Sequence, residues 1–398
     1  MSATSTKPRA KPRKKVQTAP AAVLCLTGAD AGAIFGRSTS ERLTRQFARA
    51  GLAGKVTPAQ AQTHEGPVLL VRADAVIDEP LIGLLLKSPG LVLLSDDTGA
   101  ILAIHANGKD AKALLPVLAG KKALPTQWKA AARKPAELDA VFWEKLRKRE
   151  VPYARLADGQ NNKALEWRVF MGTYKGATDI VTKRLWPYPA FLVTRFIAPL
   201  GVTPNQVTTI GAIATIAAFF LFMNGHFAWG LFAGWLMTFL DTVDGKLART
   251  TLTSSKWGDV FDHGIDLVHP PFWYYAWGVG LAAAGHDWPP AFFWMIFAAI
   301  LGGYVLQRLM EGISIKGLGM EIHIWRRIDT YFREITARRN PNLVILTVSL
   351  GFGRPDLGLI AVAIWTLACL VLHALQLGQA FAAKSKSGPL TSWMSQRA

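Results

Sequence analysis

Long apolar runs fill the second half of this 398-residue chain, and they restrict its fold more than any other feature. From Thr203 to Ala383 these runs follow one another with few charges between them, whereas the residues before Trp186 are mixed and charged. About 20 apolar residues in an α-helix are enough to cross a hydrocarbon core of ~30 Å. The sequence therefore predicts an all-α membrane domain behind a soluble portion.

We predict six membrane-spanning helices in this domain. The fifth run is too short to span alone and needs its helix to extend beyond the apolar residues at one or both ends. The second run continues into a segment that carries aspartates. The six runs are Val207–Met223, Phe227–Leu240, Leu267–Gly285, Trp288–Gln307, Pro341–Phe352 and Leu357–Ala383.

Basic residues divide the connecting loops into two groups. Asn224–His226 and His286–Asp287 contain no Lys or Arg, and Gly353–Asp356 contains only Arg354, whereas the alternate segments are rich in both. The positive-inside rule then places both termini, and the aspartates, on the cytoplasmic side. We expect a multi-pass protein of a bacterial cytoplasmic membrane. The net charge of +18 fits anionic lipid better than nucleic acid, because the basic residues flank apolar spans.

The soluble portion predicts a small α/β (Rossmann-like) domain at residues 20–155, because strand-like and helix-like segments alternate along it. A disordered basic arm (1–19) precedes it, a linker with an interfacial helix (156–202) follows, and the membrane domain (203–384) ends in a cytoplasmic tail (385–398). The predicted strands are Ala21–Gly28, Pro67–Arg72, Leu91–Ser95 and Ala100–His105, and the predicted helices are Glu41–Ala50, Leu81–Lys87 and Lys109–Ala119.

Two amphipathic segments are predicted at the membrane surface. Trp186–Leu200 carries Arg195 among aromatic and aliphatic residues. It either lies on the bilayer as an interfacial helix or lengthens the first span, and the sequence leaves both open. Ile322–Arg339 mixes apolar residues with arginines and is predicted to form a helix at the cytoplasmic surface.

Four aspartates carry the chemistry. Asp241 and Asp244 are three residues apart, and Gly258, Asp262 and Asp266 are each four apart, so each set lies on one face of its helix. The short connection makes the two helices antiparallel neighbours, and the two faces can converge. Clustered carboxylates repel one another, and a hard divalent cation such as Mg²⁺ or Mn²⁺ relieves that repulsion. We predict two such ions about 4 Å apart, clamping a diphosphate.

Small and basic residues accompany these acids. Gly245 and Ala248 leave the helix face open to a bulky ligand, and Arg249 offers a guanidinium suited to phosphate. The alternative is a solvated helix-end cluster in which the acids pair with Lys246 and Arg249. The small residues at this spacing favour the metal–diphosphate site.

The pattern D-x-x-D-G-x-x-A-R-x(8)-G-x-x-x-D-x-x-x-D is matched at every fixed position. It resembles the motif of the CDP-alcohol phosphotransferases, a family with a six-span membrane fold, and the resemblance covers Trp186–Ala383. It implies that Asp241, Asp244 and Asp262 bind metal and that Asp266 is both a ligand and the general base. The nucleotide-binding residues that it implies are Asn205, Asp241, Gly245, Ala248, Arg249, Gly258 and Asp262.

The resemblance also implies the reaction. The acceptor hydroxyl loses its proton to Asp266 and attacks the β-phosphorus of a CDP-linked donor, and CMP leaves. The donor is either CDP-diacylglycerol, with a polar acceptor such as inositol phosphate or glycerol phosphate, or a soluble CDP-alcohol such as CDP-inositol. Homodimers are common in the family. A transporter, a prenyltransferase and an inactive membrane scaffold are the competing classes.

The soluble domain weakly resembles a sugar-phosphate nucleotidyltransferase at Val68–Asp78, where a strand leads to Asp74 as that family's strand leads to a metal-binding aspartate. Fusions of such a domain to this membrane fold occur among enzymes related to inositol-phosphate cytidylyltransferase–phosphotransferases. The departure is at Leu26–Phe35, which has two glycines and no basic residue before Arg37. We therefore predict a catalytically degenerate domain.

The segment before the membrane, Gly172–Arg184, also resembles the linker of those fusion enzymes. Lys175, Lys183 and Arg184 either hold a phosphorylated acceptor or face lipid headgroups, and the sequence does not separate the two.

Overall fold

The computed structural model describes residues 22–52, 54–138 and 142–395, without the side chains of Asp259 and Asp262. The predicted basic arm at 1–19 lies outside these residues. The described chain consists of an N-terminal α/β region followed by helices.

The α/β region contains short strands and helices in alternation, as the sequence predicts. Its strands are β1 (Val23–Thr27), β2 (Ala33–Ile34), β3 (Arg37–Ser38), β4 (Lys55–Val56), β5 (Pro67–Arg72), β6 (Ala75–Ile77), β7 (Val92–Leu94), β8 (Ile101–Asn107), β9 (Ala132–Arg133), β10 (Phe142–Trp143), β11 (Lys148–Arg149) and β12 (Ala154–Leu156). Its helices are α1 (Thr39–Arg49), α2 (Pro58–Thr63), α3 (Glu79–Lys87), α4 (Gly108–Leu118) and α5 (Thr126–Lys129).

The main sheet is mixed, which corrects the expectation of a Rossmann-like domain. Its strand order is β4-β1-β5-β8-β7-β9, and β8 runs antiparallel to both β5 and β7. The connection from Leu94 to Ile101 is too short for the crossover that two parallel neighbouring strands need, so the chain turns back on itself there. Buried aliphatic residues of β5 and β8 fill both faces of the sheet.

The remaining helices run from the linker to the C-terminus. They are α6 (Lys163–Gly172), α7 (Pro187–Ile197), α8 (Pro204–Met223), α9 (Phe227–Thr250), α10 (Lys256–Ala283), α11 (Pro290–Leu318), α12 (Arg327–Ile335), α13 (Arg339–Gly351) and α14 (Pro355–Ser387). Each of the six predicted runs falls on one helix, α8 to α11, α13 or α14. The predicted surface helix at Ile322–Arg339 is shorter, because a 3₁₀ turn occupies Ile322–Ile324 before α12.

Within the described residues, three helices are long and apolar enough to cross a membrane, namely α8, α11 and α14. This is fewer than the six spans predicted. The shortfall has a physical basis in two of the others, since α9 carries Asp241, Asp244, Lys246 and Arg249 towards its end and α13 has 13 residues. At ~1.5 Å per residue, a helix of that length falls short of a ~30 Å core.

Two tryptophans of α10 fix that helix against its neighbours. Trp277 of α10 is fully buried among Phe222 and Phe227, and its indole N–H donates to the carbonyl of Pro355 at 2.9 Å. Trp273, one turn earlier, donates to the carbonyl of Thr215 at 3.0 Å. Each satisfied indole ties α10 to a different neighbour, so these contacts set the position of its aspartate-bearing first turns relative to α8.

Candidate active site at the ends of α8, α9 and α10

A cavity of about 980 Å³ opens where α8, α9, α10 and α13 meet the linker and the α/β region. It brings together most of the residues singled out in the sequence, although they come from separate elements. The predicted site residues that line it are Lys175, Asn205, Asp241, Asp244, Gly245, Ala248, Arg249, Gly258 and Asp266. The side chain of Asp262 lies outside the described set.

Two predicted acceptor residues are placed elsewhere. Lys183 and Arg184 are not among the described residues that line the cavity. Lys183 instead forms an ion pair with Glu334 of α12, so its charge is already engaged. Of the three residues predicted to hold an acceptor phosphate, only Lys175 faces the cavity.

An arginine that the sequence analysis did not single out bridges the aspartates. Arg339, the first residue of α13, donates from Nη2 to Asp241 Oδ2 at 2.5 Å and from Nη1 to Asp266 Oδ1. Its side chain is 13% exposed. A guanidinium therefore supplies the positive charge between carboxylates of α9 and α10. In the sequence, Arg339 was recognisable only as a basic residue just before the short apolar run Pro341–Phe352.

Asp244 is the most enclosed of the three motif aspartates whose side chains are described, with 2% of its surface exposed. The hydroxyl of Thr208 on α8 donates to its Oδ2 at 2.5 Å. Its Oδ1 is buried and has no hydrogen-bond partner among the described residues. A buried carboxylate oxygen without a donor is costly, so this atom is a position that a cation would stabilise.

Two glycines keep the site open to a ligand. A Cβ on Gly245 would lie 2.9 Å from Nη2 of Arg249, so a side chain there would displace the guanidinium. A Cβ on Gly258 would lie 3.1 Å from Oδ1 of Asn205, which places the start of α10 directly against the start of α8. The predicted nucleotide-binding residues Asn205 and Gly258 are thus neighbours.

The residues present fit a divalent cation by their chemistry. Among the described side chains, no three His, Cys, Asp or Glu groups lie close enough to hold a metal ion; Asp262, the predicted fourth ligand, is not one of them. Two features indicate where positive charge is needed. Oδ1 of Asp244 has no hydrogen-bond partner among the described residues, and the guanidinium of Arg339 lies between Asp241 and Asp266. Oxygen ligands of this kind suit Mg²⁺ or Mn²⁺.

The side of the cavity facing the linker and α12 is basic. Lys175 and Arg333 line it, and burial is the main cause that lowers the pKa of Lys175 to about 8 and that of Arg333 to about 9. Nη1 of Arg333 is buried without a hydrogen-bond partner in the described chain. Arg147 and Arg338 also line this side, paired with Glu321 and Glu311 respectively. Such a surface would attract an anion.

Two acids of the α/β region, Asp30 and Asp74, are engaged by groups of the region itself. Asp30, in the loop after β1, accepts hydrogen bonds from the backbone N–H of Ser40 at 2.6 Å and from the hydroxyls of Thr39 and Ser40 at 2.8 Å each. A carboxylate of the chain itself thus caps the first turn of α1, a kind of position at which helices can bind anions. Asp74, the predicted counterpart of a metal-binding aspartate, forms a two-point pair with Arg72 at 2.6 and 2.9 Å.

Comparison with known proteins finds similar sequences over the segment that contains these aspartates. Residues 201–335 match the family model of the CDP-alcohol phosphatidyltransferases. The chain is 38% identical over 95 residues to a phosphatidylinositol phosphate synthase of Streptomyces avermitilis, covering 24% of this chain and 37% of that protein. It is 37% identical over 115 residues to the enzyme of the same name from Mycobacteroides abscessus, covering 29% of this chain and 48% of the other.

A plant relative shows a similar degree of likeness. A choline/ethanolaminephosphotransferase of Arabidopsis thaliana is 36% identical over 119 residues, which cover 26% of this chain and 30% of the relative. The chain spans less than half the length of each of these three proteins. The matched segment contains every fixed position of the aspartate motif. Residues 201–335, about a third of the chain, thus match the CDP-alcohol phosphatidyltransferase family.

Proposed function

We propose that this protein transfers a phosphatidyl group from CDP-diacylglycerol to a phosphorylated polar alcohol and releases CMP. The observation that carries this proposal is the single cavity in which Asp241, Asp244 and Asp266 face both the predicted nucleotide-binding residues and a basic wall. The aspartates and the predicted nucleotide-binding residues would bind a CDP-linked donor. The basic wall, which is the side of the cavity lined by Lys175 and Arg333, would bind an anionic acceptor.

The roles of the acids follow from their placement. Asp266 lies at the less enclosed side, with 39% of its side chain exposed, and is positioned to accept the proton of an entering hydroxyl. Asp241, Asp244 and Asp262 would hold Mg²⁺ or Mn²⁺, with Asp266 as a further ligand. When bound, these ions neutralise the diphosphate and stabilise the leaving CMP. Arg249 would add a guanidinium at the nucleotide.

An apolar groove supports a lipid-linked donor. It has a volume of about 750 Å³, lies between α8 and α10, and is lined by Trp257, Val260, Phe261 and Val268. Asn205 lines both the groove and the main cavity, so the two are continuous. An acyl chain in the groove would therefore extend from a headgroup at the aspartates. With a soluble CDP-alcohol as donor, the groove would instead be left to a lipid acceptor.

The basic wall supports a phosphorylated acceptor. Lys175 and Arg333 offer donors to the cavity, and the name of the two bacterial relatives describes a product that carries a phosphate beyond the phosphatidyl group. The second candidate is transfer from a soluble CDP-alcohol to a lipid acceptor, which the likeness to a choline/ethanolaminephosphotransferase favours.

We infer that α9 and α10 cross the membrane together with α8, α11 and α14. We infer further that α13, whose 13 residues are short for a ~30 Å core, crosses where the bilayer is locally thinner, which gives six spans. Many apolar side chains of α9 and α10 face outwards, among them Trp229, Phe232, Leu267 and Phe272 at 54–67% exposure. Hydrocarbon would cover such a surface in a bilayer. The positive-inside rule then places the cavity and both termini on the cytoplasmic side.

The α/β region is proposed to be inactive in nucleotidyl transfer. Asp30 fills the first turn of α1, and Arg72 neutralises Asp74. Neither group is left to bind a nucleoside triphosphate with its metal ion.

The test uses purified full-length protein in lipid nanodiscs with labelled CDP-diacylglycerol, and measures CMP release and lipid products. We expect turnover with inositol phosphate or glycerol phosphate, loss of turnover with EDTA, and recovery with Mg²⁺ or Mn²⁺. Asp266→Asn should abolish turnover. Asp287→Asn, the same change in the exposed loop after α10, is the matched control and should have no effect.

Two results would contradict the proposal. Full CMP release in excess EDTA would exclude the metal-dependent reaction. Transfer only from a soluble CDP-alcohol to diacylglycerol would favour the second candidate.

A further inference from the structure

A hairpin of the α/β region packs against the linker helices that precede the membrane domain. Strands β2 and β3 pair in antiparallel register, Ala33 with Ser38 and Ile34 with Arg37. The two residues of the turn have positive φ angles, 51° at Phe35 and 73° at Gly36. That is the pattern of a type I′ hairpin turn, whose first position favours Asn or Asp rather than an aromatic residue. Phe35 is therefore present for what its ring contacts.

The tip of this hairpin is anchored in the linker helices. The Phe35 ring is fully buried, with centroids 6.5 Å from Phe170 of α6 and 6.3 Å from Phe191 of α7. Its backbone N–H donates to Oε1 of Glu166 at 3.1 Å, and Arg195 of α7 donates to the other oxygen of the same carboxylate at 2.5 Å. The hairpin, α6 and α7 are thereby held as one unit.

Close packing extends this unit to the nucleotide side of the cavity. A Cβ on Gly36 would lie 2.7 Å from Cα of Pro199, just before the Thr203–Asn205 start of α8, so only glycine fits there. Arg42, buried in α1, donates to the carbonyl of Thr250 at the end of α9. The α/β region therefore contacts both chain segments that border the predicted CDP site.

Arg37 follows this anchored tip and lines the same cavity as Asn205, Arg249 and Gly258. Its Nη1 pairs with Oε1 of Glu41 at 2.5 Å. Its Nε is buried and has no hydrogen-bond partner in the described part of the chain. A buried N–H without an acceptor is unfavourable, and a ligand oxygen in the cavity would satisfy it.

We propose that Arg37 binds the cytidine nucleotide of the donor, so that the α/β region completes the substrate site of the phosphotransferase domain. This inference rests on the proposed function, because it requires a CDP-linked donor in the cavity. Arg37 lies outside the family match at 201–335. The guanidinium is suited to phosphate oxygens, and its pair with Glu41 fixes its orientation. The α/β region would then serve substrate binding although we propose that it is inactive in nucleotidyl transfer.

The experiment titrates CMP against the full-length protein with Mn²⁺ present and measures the KM of donor and acceptor for each variant. Arg37→Gln should weaken CMP binding about tenfold, since it removes a charge-assisted hydrogen bond, and should raise the donor KM while leaving the acceptor KM unchanged. Arg37→Lys keeps the charge and should recover part of the affinity. Arg45→Gln is the matched control, because Arg45 pairs with the same Glu41 oxygen at 2.9 Å but is not among the cavity-lining residues.

Three outcomes overturn the inference in distinguishable ways. If Arg37→Gln binds CMP as tightly as Arg45→Gln, Arg37 does not contact the nucleotide and the proposed function stands. If both KM values rise together, or the lysine variant recovers nothing while Tm falls, Arg37 supports the docked hairpin only. If the wild-type protein binds no CMP, the proposed function fails and this inference fails with it.

Discussion

Replacing Arg339 should make the stability of this protein depend on a divalent cation. In the structure one guanidinium neutralises Asp241 of α9 and Asp266 of α10. Arg339→Gln removes that charge and leaves two carboxylates facing each other. The helices that carry them would then repel at the ends where they meet.

The magnitude follows from the burial of the partners. Removing one member of a buried ion pair costs roughly 3–5 kcal/mol. The side chains of Arg339 and Asp241 are 13% and 21% exposed, but that of Asp266 is 39% exposed, so solvent screens the second pair. We therefore expect the lower end, ~3 kcal/mol, which corresponds to a fall in Tm of roughly 5 °C or more.

The assay compares thermal unfolding in EDTA and in saturating Mn²⁺. A cation at 100 times its Kd stabilises the protein that binds it by about 2.7 kcal/mol. In the wild type the ion must compete with Arg339 for the carboxylates, whereas in Arg339→Gln it meets no such competition. Mn²⁺ should therefore raise the Tm of the variant more than that of the wild type and recover most of the loss.

Arg354→Gln is the matched control, because Arg354 forms a similar two-point pair with Asp356 at 2.7 and 2.9 Å, far from the aspartate motif. Arg354 is 50% exposed, so solvent screens its pair and the change should hardly lower the Tm, with or without Mn²⁺. Equal losses for Arg339→Gln in EDTA and in Mn²⁺, or no loss in EDTA, would refute the idea that Arg339 and a metal ion share these carboxylates.

Three further predictions concern the site and its orientation. Asp266→Asn should abolish transfer but leave donor binding within about tenfold, or ~1.4 kcal/mol, whereas Asp244→Asn should weaken Mn²⁺ and donor binding together. Titration of the donor against each variant distinguishes a general base from a metal ligand, and equal losses of donor binding would contradict the assignment. A cysteine at Asn224 should react with a membrane-impermeant thiol reagent from outside, and one at Ser254 only from the cytoplasm. Background labelling should be low because Cys25 and Cys369 are buried, and the reverse pattern would overturn the topology. The pKa of Lys175 is lowered to about 8, so its ammonium loses its proton as pH rises through that value. The acceptor KM should therefore rise between pH 7 and 9 in the wild type and change less in Lys175→Arg. Identical pH profiles of the acceptor KM would exclude Lys175 from acceptor binding.

The parts of this protein that the sequence determined are those that depend on local spacing. The helices α8, α9, α10, α11 and α14 follow from apolar runs, and β5 was predicted with its bounds, Pro67–Arg72. The aspartate motif was also legible, because residues three or four apart on a helix share a face whatever surrounds it. The match over residues 201–335 confirms the family that this spacing indicated.

Tertiary packing alone decided which distant groups meet. Arg339 reaches Asp241 and Asp266 across 98 and 73 residues of chain, and no local period relates a basic residue at the start of one helix to acids on two others. The same holds for Phe35 against Phe191, and for the mixed sheet, where strand direction depends on how the chain returns. Helix faces are set by a repeat of 3.6 residues and can be read in sequence. The charges and rings that complete the site come together only when the helices and the α/β region pack, since that packing fixes their distances.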